Sequence, residues 1–539
     1  MKKYAALLLV LVLTLSLFAG CSSDNDDPSS GSSGEFAAKV PEGVTATEDN
    51  ARVFYEIFVG SFSDSNGDGI GDLRGIINRM DYLNDGDDSS GKSLGVEGLW
   101  LTPIFASGSY HKYDIDDYYT IDKAFGTQED LKELAELCHQ RNVKLIIDLP
   151  VNHTSKNCEW FKSFTQAHKD GAVSDKYYDF YSYYTEGQDA PAGRAFAKLY
   201  GTDVYYECNF YDGMPELNFD SEEVRQTMLD VAKHYLDLGV DGFRFDAAKY
   251  VYFGDNNASE AFWSWYLSEL RAVKPDLYTV AEVWDADVVT SIYYPSTNCF
   301  NFTVSQAEGH IAKSVQGDAS RYISYVGTYL DSIKDTNPDA MFVPFIANHD
   351  TDRAAGYLPS SNGRAQMAAN LLLLSPGSPF LYYGEEIGMR GSRGSANTDA
   401  NRRLAMLWGD DDTVRDPTGT TYSSDKRAEG SVVEELSNEN SLYNYYKRVI
   451  LVRKANPEIA RGEFKPLSLS GVNVSGFTSS WKGNTVCVLH NASTDEAVLD
   501  LSKLGLDFSV LRNFVGMGEA NLDGTTLTIG GQTSVVLGK

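Results

Sequence analysis

Eight short apolar runs, each trailed by a helical or part-helical stretch, organise residues 51–458 of this chain and limit its fold more than any other feature. The runs are "VFYEIFV" (53–59), "GVEGLWLTPI" (95–104), "VKLIIDLPV" (143–151), "VDGFRFDAA" (240–248), "LYTVAEVW" (277–284), "CFNF" (299–302), "MFVPFIANHD" (341–350) and "PFLYYGEE" (379–386). Between them, stretches such as "TQEDLKELAELCHQRN" (127–142, with Thr127 as cap) and "SEEVRQTMLDVAKHYLDLG" repeat apolar residues every three or four positions, the helical period. Strands apolar at successive positions are covered on both faces, as in a parallel sheet wrapped by helices. Eight such units imply an α/β fold, a (β/α)8 TIM barrel. The alternative, an open doubly wound sheet, carries a Gly-rich phosphate loop after its first strand, and this chain has none there.

The rhythm breaks after the third strand. Residues 151–215 are Tyr-rich, turn-prone and too long for a plain connection, so an inserted domain is expected there, leaving 51–150 and 216–458 to the barrel. After 458, "VSGFTSSWKGNTVCVLHNAS" and "TTLTIGGQTSVVLG" alternate apolar and polar residues between turns; 459–539 reads as a C-terminal all-β sandwich domain. At the other end, Lys2 and Lys3 precede the apolar "YAALLLVLVLTLSLF" and then "AGC", the build of a signal peptide over 1–20. Small residues before Cys21 resemble a bacterial lipobox, which implies lipid on Cys21; an ordinary signal peptide is the other reading. The Ser/Gly/Asp-rich stretch that follows reads as a flexible tether over 21–50. The expected location is the extracellular face of a bacterial envelope, with membrane contact only through that N-terminal lipid anchor.

The 46 basic and 76 acidic residues give a formal net charge of −30, which excludes nucleic acid and an anionic membrane surface as partners. Besides Cys21 there are Cys138, Cys158, Cys208, Cys299 and Cys487, without zinc or framework spacing; Cys158 with Cys208 is a possible pair. No internal repeat is visible, and a monomer is the expected state.

One loop carries metal-type spacing. In "SDSNGDGIGD" Asp64, Asn66, Asp68 and Asp72 stand at positions 1, 3, 5 and 9 of a calcium-loop pattern. The position that would need a bidentate Glu is Gly75, and the loop follows a strand, so a calcium sensor of the EF-hand type is not expected. A bound structural cation and a metal-free Asx-turn loop both remain.

Active sites of these barrels lie at the C-terminal ends of the strands. There the chain places Asp148, Asn152 and His153 (third strand), Arg244 and Asp246 (fourth), Glu282 (fifth), and His349 and Asp350 (seventh). One carboxylate at a strand end is commonly a cap or an ion pair; four strands ending this way point to a catalytic mouth. Arg244, two residues before Asp246 on a strand, faces the same side and would hold Asp246 ionised.

These stretches, "DLPVNH" (148–153), "GFRFDAAK" (242–249), "AEVW" (281–284) and "ANHD" (347–350), with "MPELNF" (214–219) in the insert, closely resemble the ordered motifs of glycoside hydrolase family 13, the α-amylase family. The resemblance covers about 52–458. It implies Asp246 as nucleophile, Glu282 as general acid/base and Asp350 as the third carboxylate, in a retaining mechanism that needs no organic cofactor. It implies a substrate-binding set of Tyr113, His153, Arg244, Lys249 and His349, with Arg403 as a further contact, although Lys112 stands where family members often carry Gly. It also implies that the 63–72 loop holds one structural calcium, through the side chains of Asp64, Asn66, Asp68 and Asp72 and the carbonyl of Ile70, with Asn152 beside a second. The implied substrates are starch, maltodextrins and related α-glucans. Ala247 after the nucleophile resembles α-1,4-acting amylases, so endo-hydrolysis of starch leads; α-1,6 cleavage, glycosyl transfer and a non-catalytic glucan-binding role are the alternatives.

Overall fold

The computed structural model describes residues 36–539 except 42, 43, 45, 423–428 and 470. Cys21, the signal segment and most of the expected tether lie outside the described residues. Eight parallel strands form the centre: β1 (Phe54–Ile57), β2 (Gly98–Leu101), β3 (Lys144–Leu149), β4 (Gly242–Phe245), β5 (Tyr278–Ala281), β6 (Asn298–Asn301), β7 (Val343–Pro344) and β8 (Phe380–Tyr382). They run in the order β7-β6-β5-β4-β3-β2-β1-β8, and a parallel bridge between Phe345 and Phe380 joins the two ends into a barrel.

The inward positions explain why the mouth is charged. Phe54, Trp100, Ile146, Val280, Phe300 and Phe380 belong to a buried cluster inside the barrel, apart from the larger core under the helices. Gly98 leaves room for one of them, since a Cβ there would lie 2.4 Å from the Phe54 ring. Strand side chains repeat every two residues. Two positions on from Phe54, Ile146 and Val280 therefore come Glu56, Asp148 and Glu282, so an apolar lower layer gives way to an ionisable upper one.

The surrounding helices include α1 (Leu73–Asn78), α2 (Gln128–Gln140), α3 (Glu222–Asp237), α4 (Asn256–Val273), α5 (Ser320–Thr336), α6 (Arg364–Leu373) and α7 (Leu442–Ala455). Thr127 caps α2 in a reciprocal box with Asp130, as the sequence suggests. The strand expected over 341–350 shrinks to two residues, because Pro344 has no N–H to continue a ladder.

Between β3 and α3 the insert holds a three-stranded antiparallel sheet, Tyr183–Thr185, Val204–Glu207 and Phe196–Lys198, with Val204–Glu207 central. It also contains a helix, Glu159–Asp170, that the turn-rich composition hides; it buries Phe161, Phe164 and Ala167 and stops at Gly171, which is left-handed at φ 64°. The C-terminal part is antiparallel, with one six-stranded and one three-stranded sheet. Ala37–Lys39 pairs with Val510–Gly516 as the edge of the larger sheet, so the expected tether over 21–50 is corrected here: part of it is structural. Cys158 and Cys208 are separate buried thiols, as are the other three described cysteines, so that possible pair is not formed.

Candidate active site

Adjacent strands in fixed register assemble the charged layer. Arg244 on β4 lies directly beside Asp148 on β3 and Val280 on β5. Its guanidinium is 1% exposed and touches three carboxylates: Asp148 at 2.9 Å, Asp246 at 2.7 Å and Glu282 at 3.1 Å. It also sits 5.3 Å from the centre of the Trp100 ring, a cation–π contact. One cation thus fixes the positions of the two carboxylates of the expected nucleophile–acid pair.

After β4 the chain turns sharply. Ala247 adopts a left-handed backbone, φ 47°, and its N–H donates to Glu282 Oε2 at 3.1 Å. A β-branched side chain would strain this position. Burial pushes both Asp246 and Glu282 above the usual carboxylate range; Arg244 pulls each back, and neighbouring carboxylates push again. Arg244 approaches Asp246 more closely than Glu282, 2.7 Å against 3.1 Å, and the two carboxylates titrate as a coupled pair. Asp148 is pushed up to about 7 by burial, against the attraction of Arg244.

Asp350 behaves oppositely. Burial works against its ionisation too, but His349 Nε2 at 3.0 Å and Arg403 Nη2 at 2.7 Å outweigh it and hold Asp350 well below the usual range. His349 is clamped on its other nitrogen by Glu56 Oε1 at 2.6 Å. Burial alone would lower the His349 pKa; Asp350 and Glu56 instead raise it to about 10. A raised histidine pKa adds stability that is complete below its ordinary value of 6.5 and lost as pH rises through about 10. The Tm advantage of the native chain over His349→Asn should therefore shrink steadily from pH 6.5 to 10; a constant difference would contradict a charged His349.

Above this layer is a cavity of about 760 Å3. Asp246, Glu282, Asp350, Tyr113, His153, Lys249 and Arg403 all line it, so seven residues named from sequence converge. Arg244 and His349 lie beneath it: His349 is fully buried, with Nδ1 held by Glu56 and Nε2 facing Asp350 and the Tyr113 hydroxyl. Tyr113 stacks on His349, ring centres 5.4 Å apart at 10°, and its hydroxyl donates to Asp148 at 2.8 Å. Lys112, before it, holds the left-handed backbone (φ 65°) that suits Gly, with Nζ 2.7 Å from Asp122. His153 Nε2 faces the Tyr113 carbonyl at 3.1 Å, so Nε2 carries the hydrogen, and buried Nδ1 is left as an acceptor without a protein partner. Lys249 bonds the Trp284 carbonyl and Asp285, each at 2.9 Å.

Sequence reasoning missed part of the wall. Tyr110, Phe210, Trp284 and Asp399 also line the cavity, Phe210 and Trp284 being 44% and 43% exposed. Trp284, two residues past Glu282, and Tyr110, three before Tyr113, had local signals; Phe210 and Asp399 come from distant loops. Glu56 could have been found as a lone carboxylate inside an apolar strand.

The 63–72 loop is curled by its own side chains. Asp64 accepts from the N–H groups of Asn66, Gly67 and Gly69, Asn66 from Asp68, and Asp68 from Ile70. Asp72 caps α1 through Gly75 N–H at 2.6 Å. Among the described residues no three acidic, His or Cys groups gather at metal-binding distance. The all-oxygen donor set, each carboxylate keeping further lone pairs, still fits a hard cation in chemistry.

A closed eight-stranded barrel with three carboxylates facing one cavity at the strand ends defines a glycosidase-type barrel protein. The chain matches the family model of the alpha amylase catalytic domain over residues 56–462. It belongs to the α-amylase family, glycoside hydrolase family 13. It is 35% identical over 450 residues to Alpha-amylase 3 of Dictyoglomus thermophilum, covering 82% of this chain and 85% of that one. It is 31% identical over 357 residues to a 4-alpha-glucanotransferase of Thermotoga maritima, covering 64% and 74% respectively. Among solved structures, Eubacterium rectale Amy13B superposes with a TM-score of 0.83 at 35% identity, covering 92% of this chain and 97% of that one.

Proposed function

We propose that this chain is an endo-acting α-amylase that cleaves α-1,4 bonds of starch and maltooligosaccharides with retention of configuration. The observation that carries this reading is the single Arg244 guanidinium bonded to Asp246 at 2.7 Å and Glu282 at 3.1 Å beneath a cavity that Asp350 also faces. In the first step an Asp246 oxygen bonds to the anomeric carbon as the glycosidic C–O bond breaks, and the leaving oxygen takes the proton of Glu282. In the second, Glu282 removes a proton from water, whose oxygen bonds to that carbon as the ester to Asp246 breaks. Asp350, kept ionised by His349 and Arg403, offers a fixed negative charge to the sugar.

Incubation with soluble starch should yield a spread of short maltooligosaccharides from the earliest times. Glucose released alone from chain ends would overturn the endo reading. A second reading, transfer to another sugar, is favoured by the exposed Phe210 and Trp284 on the rim, surfaces on which an acceptor ring could stack. Products longer than an added maltotriose would mark it in the same assay.

We further propose that the 63–72 loop takes up one structural calcium through Asp64, Asn66, Asp68, Asp72 and the Ile70 carbonyl, re-aiming carboxylate oxygens now bonded to N–H groups. Ligand binding to the folded state adds stability by mass action. EDTA should lower the Tm and added calcium restore it; an unchanged melt would count against the site.

A further inference from the structure

A second cleft, again of about 760 Å3, lies where α5 meets the start of the C-terminal sheet. Its shape is fixed by backbone approach. Gly327 lets Pro466 lie directly on α5, since a Cβ there would fall 2.4 Å from the proline ring. At the other end Ser475 Oγ donates to Asp318 at 3.4 Å, just before the helix. The floor is aromatic and rigid: the His310 and Tyr325 rings stack with centres 4.7 Å apart at 26°. The Tyr325 hydroxyl accepts from Asn301 at 2.7 Å and donates to Asp287 at 2.9 Å. Ser320, Ser324 and Thr328 follow one another at four-residue spacing, so they stand on one face of α5 along the cleft, beside exposed Arg321. Leu467, Leu469 and Val474 form the opposite wall.

The lining selects a ligand class. Among the described residues no acidic side chain lines this cleft, Asp318 and Asp287 standing at its edge with their oxygens bonded by Ser475, Ser320 and Tyr325, and Arg321 is the one lining Arg or Lys. A cationic peptide would find only the edge carboxylates of Asp318 and Asp287, already bonded by cleft hydroxyls, and a polyanion a single positive charge. A chain of neutral sugar rings, apolar on its C–H faces and hydroxylated at its edges, meets an aromatic floor, an apolar wall and a row of hydroxyls. Asn301 ends β6, so the Tyr325 bond also sets this cleft near the end of the barrel that carries the catalytic cavity.

We propose that this cleft is a second α-glucan site, which holds a polymeric substrate while the catalytic cavity works on another stretch. The substrate class rests on the proposed function. Two sites on one polymer raise the effective concentration at the second, so the benefit appears only with long chains. The test is Ser324→Trp, a bulky group on an exposed helix face, with Arg321→Ala as an independent variant. Retention on insoluble starch, read in an Asp246→Asn background so that nothing is consumed, should fall by about tenfold or more. Turnover of long amylose should fall several-fold and turnover of maltotriose stay unchanged. Equal starch retention and equal amylose turnover in both variants would overturn the second site. Failure of the native chain to turn over maltotriose and amylose alike would instead overturn the proposed activity, with starch retention still reading the cleft.

Discussion

Asp246→Asn is expected to lower kcat on soluble starch by about 10^4-fold or more, close to 5.5 kcal/mol of transition-state stabilisation. The amide matches the carboxylate in shape but is a poor nucleophile and carries no charge to attack the anomeric carbon. The fold should survive, because Arg244 keeps Asp148 at 2.9 Å and Glu282 at 3.1 Å, and an amide oxygen can still accept its third contact. Circular dichroism and Tm would check the fold, and a starch assay the rate. Near-native turnover would remove Asp246 from the nucleophile's position.

Arg244→Ala should act on stability and activity together. The guanidinium is almost fully buried and faces Asp148, Asp246 and Glu282 at once. Removing one partner of a buried ion cluster leaves uncompensated charge, at a cost of about 3–5 kcal/mol. The carboxylates would answer by keeping protons. Burial already raises Asp246 and Glu282, and loss of the cation that pulls them back would raise both further. The acid limb of the pH–rate profile, set by ionisation of the nucleophile, should therefore move to higher pH, in any variant that folds. Urea unfolding would read the stability and the pH profile the electrostatics. An unchanged midpoint together with an unchanged acid limb would show that the cluster is not held by Arg244.

Much of this was legible in the sequence, for a physical reason. Strands buried on both faces must be apolar at successive positions, so an ionisable residue at their ends stands out, and Asp148, Asp246, Glu282 and Asp350 did. The barrel, the all-β C-terminal part and the Thr127 cap were readable from period and capping chemistry. Tertiary contacts hid the rest. The edge strand at Ala37–Lys39 forms by pairing with Val510–Gly516, and nothing in its neighbouring residues announces that. The sequence places His349 next to Asp350, but only the third dimension brings Glu56 to its other nitrogen. Asp399 and Phe210 reach the cavity from loops whose composition looks like any solvated turn.

The most direct test of the account is to capture the covalent intermediate. The native chain would be incubated with a 5-fluoro α-glucosyl fluoride, whose ring fluorine slows breakdown of a glycosyl ester while fluoride leaves readily, then digested and examined by peptide mass spectrometry. The account predicts one added fluoroglucosyl group on the peptide that contains Asp246, and none in Asp246→Asn. An adduct on another carboxylate, or substrate turned over to a β-configured product with no adduct, would contradict it.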